Sequence, residues 1–145
     1  MNEAFRRAET GGIVLAKPGT PLNPAQTDEL LQHLSNELET ANAAAEEAAV
    51  KVADCQVAFK KAENRLMLSP ECPKVGRGLG MVTAAERDAW VFSQVVEEWE
   101  ALQFAEVLLN NATRYAWKLR EQNSLAQSLN NNAKAAFDSN RGGVR

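Results

Sequence analysis

An all-α protein built on two long helices, folded as an antiparallel coiled-coil hairpin, is what this chain predicts. Three features carry that expectation: a three- and four-residue apolar rhythm from Leu31 to Leu66, a second apolar stripe from Ala85 to Leu119, and a Pro- and Gly-rich break between them. Composition agrees. Of 145 residues, 45% are hydrophobic but only 6% aromatic, because Ala carries much of the apolar content, a bias that favours long helices over a large globular core. The length suits one domain with arms.

Residues 1–23 mix Gly11-Gly12, Pro18-Gly19 and Pro21 with one short apolar run, Ile13-Val14-Leu15, so a flexible N-terminal arm is expected there. That run could also lie as an extended strand on a neighbour. The helical hairpin is expected over 24–137. Its first helix, 24–68, opens at Asn23-Pro24-Ala25-Gln26, where Asn23 can cap, Pro24 suits the first helical position and Gln26 can complete a capping box. The seam then reads Leu31, Leu34, Leu38, Ala41, Ala45, Ala48, Val52, Cys55, Phe59, Ala62 and Leu66. Its alanine middle lets a facing helix come close, and its ends carry the bulk.

Two prolines and three glycines over residues 69–82 defeat both helix and ladder and make this the hairpin loop. Thr83-Ala84-Ala85-Glu86 reads as a capping box opening a second helix over 83–137. One stripe of that helix, Ala85, Ala89, Phe92, Val95, Trp99, Leu102, Ala105, Leu109, Ala112, Ala116 and Leu119, is expected to face the first helix, with a three-three irregularity at Leu102. Past Leu119 the pattern thins into asparagines, poor helix formers, and 138–145 reads as a flexible tail.

A second apolar set, Val91, Phe104, Val107, Leu108, Tyr115 and Trp117, lies off that stripe and exceeds what one antiparallel partner can cover. Surplus apolar surface of this kind marks association. Phe104, Val107, Leu108, Tyr115 and Trp117 are therefore the expected oligomer or partner interface, unless the N-terminal arm folds back over them.

Signs of chemistry are few. His33 is the sole histidine, the carboxylate clusters Glu46-Glu47 and Glu97-Glu98-Glu100 lack the inward Glu-x-x-His pattern of helical metal sites, and Gly76-x-Gly78-x-Gly80 fits neither the dinucleotide fingerprint nor the P-loop. Cys55 and Cys72 lack metal-knuckle or redox spacing. No catalytic residue, metal or cofactor is expected, and the chain does not read as an enzyme. A formal charge of -3 argues against a wholly nucleic-acid-binding surface. Locally, Arg114, Lys118 and Arg120 interleave with Tyr115 and Trp117 and could follow a single strand, with Lys74 and Arg77 as a second basic place. The competing use of that stretch is ion pairing with Glu37 and Glu39 of the first helix. With no signal-peptide core and no run long enough to span a bilayer, a cytoplasmic protein without a membrane partner is expected.

Thr83-Ala84-Ala85-Glu86-Arg87-Asp88-Ala89-Trp90-Val91, with Leu119-Arg120-Glu121-Gln122 and Leu125-Ala126-Gln127-Ser128-Leu129, resembles small helical proteins encoded in tailed-bacteriophage genomes. The resemblance covers only the second helix and implies a phage product of the host cytoplasm, without a role for any residue. The leading expectation is a non-catalytic, homo-oligomeric interaction or scaffold protein. Two alternatives stand beside it: a phage recombination or replication accessory that binds single-stranded DNA, and a phage inhibitor of a host protein.

Overall fold

The computed structural model describes residues 5–9, 13–15 and 22–142. Strands β1 (Phe5–Arg7) and β2 (Ile13–Leu15) are followed by helices α1 (Pro24–Met67), α2 (Ala84–Gln94) and α3 (Val96–Gly142). The two long helices, α1 and α3, pack against each other. The chain divides into two compact units: unit 1 holds Met1–Ala45 and Asn111–Arg145, and unit 2 holds Glu46–Asn110.

In unit 1, α1 starts where a reciprocal cap closes its first turn. Gln26 N–H donates to Asn23 Oδ1 at 2.9 Å and Asn23 N–H donates to Gln26 Oε1 at 3.0 Å, so two backbone donors that the helix leaves without partners are bonded by side chains. Behind the cap, Leu30, Leu34 and Ala41 of α1 are buried with Ala116, Leu119 and Ala126 of α3, and Leu22, Leu31 and Leu38 pack on this cluster. Each fully buried leucine contributes about 1.5–3 kcal/mol over leaving it in water. The alanines keep the helices close where the leucines do not fill the space.

Two described segments of the arm form a ribbon. β1 and β2 pair antiparallel with Phe5 opposite Leu15 and Arg7 opposite Ile13. Ile13 packs on the helical core, and its N–H donates to Gln122 Oε1 of α3 at 3.3 Å. A two-stranded ribbon is marginal alone in water, so contact with α1 and α3 is what supports it. The rest of the expected flexible arm (1–4, 10–12 and 16–21) lies outside the described residues.

In unit 2, Val52 of α1 is buried with Leu102 and Ala105 of α3, flanked by Cys55, Phe59 and Leu109. The single helix expected over 83–137 is two here. Thr83 caps α2 with a full box, its hydroxyl accepting from Glu86 N–H and the Glu86 carboxylate accepting from Thr83 N–H. These bonds hold the Glu86 carboxyl below its ordinary pKa. At Val95 the backbone leaves the helix with φ -115° and ψ 20°, its N–H donating to Phe92 O.

The interruption accompanies a change in which residues are inside. Ala85, Ala89, Phe92 and Trp99, expected on the buried stripe, are exposed, whereas Val91 and Val95 are buried. Burial runs through Val91, Val95, the half-buried Glu98, Leu102, Ala105 and Leu109 in steps of four and three. The three-three irregularity at Leu102 therefore disappears. Val91, assigned by its apolar surplus to the outer face, is a core residue.

Helical backbone continues past 137 to Gly142, where a flexible tail was expected; residues 143–145 lie outside the described residues. No helix among the described residues is long and apolar enough to cross a membrane.

Candidate functional site

On the unit 2 part of α3, Phe104, Val107 and Leu108 are exposed, with 67%, 55% and 46% of their surface in water. Their spacing of three and four residues puts them on one face of the helix. Leu102, Ala105 and Leu109 use the opposite side for the core. Three large side chains on one turn are thus excluded from burial by the geometry that seats their neighbours.

The two remaining residues of the expected interface belong to unit 1, and they part company. Tyr115 packs on the unit 1 core and donates its hydroxyl to Glu37 Oε2 at 3.2 Å. Trp117 is mostly exposed. Two residues along an α-helix is a turn of about 200°, so Tyr115 and Trp117 point to nearly opposite sides. The aromatic pair read as one surface in the sequence is one structural anchor and one exposed indole.

Arg114, Lys118 and Arg120 are exposed in unit 1. Glu37, one of the acidic groups expected to engage them, pairs with Arg7 of β1 and accepts from Tyr115. Lys74 and Arg77 are exposed in the unit 2 loop between α1 and α2.

A groove that the sequence does not announce lies in unit 1. Ile13 and Val14 of β2, Leu30 and Leu34 of α1, and Gln122, Leu125, Ala126 and Leu129 of α3 enclose about 200 Å³. Leu125 and Leu129 are exposed at its edge. Their four-residue spacing and the Ile13-Val14-Leu15 run were the available signals, but neither says that strand and helix meet.

Beside this groove, α1 and α3 share a polar contact. Thr27 and Asn130 are buried; the Thr27 hydroxyl donates to Asn130 Oδ1 at 2.7 Å, and the Asn130 amide donates to Asp28 at 2.8 Å. Lys134 Nζ donates to the same Asp28 oxygen at 3.1 Å. The Lys134 and Asn130 hydrogen bonds stabilise the carboxylate and hold Asp28 below its ordinary value near 3.8. A buried polar contact of this kind favours one alignment of two helices over others, since slipping it leaves donors without partners.

Elsewhere the titratable groups are dispersed. His33 lies 3.8 Å from Glu29 one turn earlier on α1, and no three His, Cys, Asp or Glu side chains among the described residues are placed to hold a metal ion. Cys55 and Cys72 are half-buried free thiols. Compared with models of protein families, curated proteins and solved structures, the chain matches none.

Proposed function

We propose that the protein is a non-catalytic, phage-encoded helical scaffold of the host cytoplasm, an antiparallel coiled-coil hairpin that associates with further copies of itself through the exposed face of α3. The carrying observation is the exposure of Phe104, Val107 and Leu108 on one helical face. Apolar surface concentrated in this way is stabilised by association. The hairpin reading draws support in unit 1 from Thr27 and Asp28, near the start of α1, bonding Asn130 and Lys134 near the end of α3, while Glu37 meets Tyr115 earlier in α3. Its coiled-coil character draws support from burial in steps of three and four.

Phe104→Glu combined with Leu108→Glu tests the reading. Both sites are exposed, so helical content by circular dichroism should hold while the mass in solution falls to that of one chain. An unchanged mass would sink this interface. A wild-type chain that is monomeric from the outset would move the same face to a different protein, in the manner of a host-directed inhibitor.

A second reading, a DNA recombination or replication accessory, is favoured by one specific arrangement: exposed Trp117 between exposed Arg114 and Arg120, with Glu37 engaged by Arg7 and Tyr115. Arginines can follow phosphates while an indole stacks a base. Titration of the oligomer with a single-stranded oligonucleotide separates the two readings, since only the second expects uptake that weakens steeply with salt.

A further inference from the structure

The loop between α1 and α2 has two properties that a solvent-facing turn does not need together: an apolar apex and a basic collar. Met81 N–H donates to Gly78 O at 3.1 Å across a four-residue turn with Gly80 at φ +79°, the arrangement of a type II turn. Leu79 occupies its first central position, where it is fully exposed. Polar residues and proline are the usual occupants of such corners. Leu68 is also nearly fully exposed, and Val75 and Met81 are about half exposed.

The chain on either side of this apex is basic. Over residues 60–82 five basic side chains (Lys60, Lys61, Arg65, Lys74 and Arg77) stand against Glu63 and Glu71, a local balance of +3 in a chain of net charge -3. Glu63 pairs with Lys60 and Asp88 with Arg87, one cation for each carboxylate, while Glu86 is bonded by Thr83 and keeps its charge. Lys61 lies six residues before the end of α1, about 9 Å along the axis. A surface touching that end would therefore hold these cations within roughly one Debye length at physiological salt.

We propose that this end of unit 2 is a peripheral docking tip for an anionic lipid surface, with Leu79 entering the headgroup boundary and Lys61, Arg65, Lys74 and Arg77 facing the acidic headgroups. Charge complementarity and the apolar apex select this partner over nucleic acid. A phosphodiester strand explains the cations but gives a leucine at the apex nothing to bind, and the loop offers no aromatic ring for stacking. The loop backbone is also bonded to itself, Gly76 N–H to Val82 O, Val82 N–H to Lys74 O and Cys72 N–H to Ser69 O. Entry into a less polar layer would thus leave fewer backbone groups without partners. Met81 lies against Gly76, where an added Cβ would come 2.7 Å from its sulfur, so the glycine makes room for that packing. The contact is peripheral and independent of the α3 face.

Co-sedimentation of the full chain with vesicles tests the tip, comparing phosphatidylcholine alone with equal parts phosphatidylcholine and phosphatidylglycerol. Binding is expected only to the anionic vesicles. Leu79→Ser should weaken it about tenfold or more, and Lys74→Ala with Arg77→Ala should weaken it and flatten its salt dependence. Both changes are at exposed positions and leave the fold intact. No binding to anionic vesicles would overturn the proposal. So would binding that Leu79→Ser leaves unchanged, or binding to an oligonucleotide that matches the vesicles and ignores Leu79→Ser, either of which would reduce the tip to general attraction for phosphate.

Discussion

The two compact units use the same pair of long helices but close them differently. Unit 1 joins α1 to α3 with leucines at Leu30, Leu34 and Leu119 and ties them with hydrogen bonds through Thr27, Asn130, Asp28 and Lys134. Unit 2 has a smaller joint cluster, Val52 with Leu102 and Ala105, and leaves Phe104, Val107 and Leu108 in water. The difference teaches where a long helical pair sets its alignment and where it leaves apolar surface in water. Polar contacts penalise slippage in unit 1, whereas apolar surplus in unit 2 is directed outward.

Breaking the better-filled side should cost more. Leu119 has no exposed surface, so Leu119→Ala is expected to destabilise by about 2–5 kcal/mol, and Leu102→Ala, which faces Val52 and alanine, should fall toward the lower end of that range. Urea unfolding of both variants checks the ranking, and a larger loss at Leu102 would reverse the comparison.

The polar tie is a smaller term. Asn130→Ala removes the acceptor at Thr27, but the Thr27 hydroxyl also lies 2.9 Å from Pro24 O, so the buried donor keeps a partner and the loss should be about 1 kcal/mol. If Asn130→Leu, measured by the same unfolding, were more destabilising still, the site would be sensing shape rather than hydrogen bonding.

The smallest effect is one of pH. Because Asp28 has a lowered pKa in the folded chain, its contribution is fully present above the unfolded carboxylate value and is lost as pH falls through the folded one. Wild type should therefore lose stability relative to Asp28→Asn as pH drops below about 4, whereas near neutrality the difference between the two should not change with pH. Thermal unfolding across that window reads it. A parallel fall in both proteins would mean that the pair with Lys134 contributes nothing measurable, as exposed ion pairs often do.

The sequence made the α1 seam readable because every member from Leu31 to Leu66 is apolar and keeps one register, and each is buried or half-buried. The early part of the second stripe misled for a definable reason. The buried positions run through Val91, Val95 and Glu98, and a carboxylate at a seam position hides the rhythm from a scan for apolar residues, while Phe92 and Trp99 offer a more hydrophobic path one residue away. Those two rings pack edge-to-face on each other, 5.6 Å apart. The arm was illegible because pairing of Phe5–Arg7 with Ile13–Leu15 depends on α1 and α3 beneath it, and the Arg7 pair with Glu37 is a contact between distant parts of the sequence. Tyr115 could not be separated from Trp117 until the direction of the core around α3 was known.

Light scattering behind a sizing column, at low and high salt, tests the central claim most directly. An assembly held by Phe104, Val107 and Leu108 should be larger than one chain and keep its mass as salt rises, because apolar contacts are not screened. A single-chain mass at every salt and protein concentration would contradict self-association through α3.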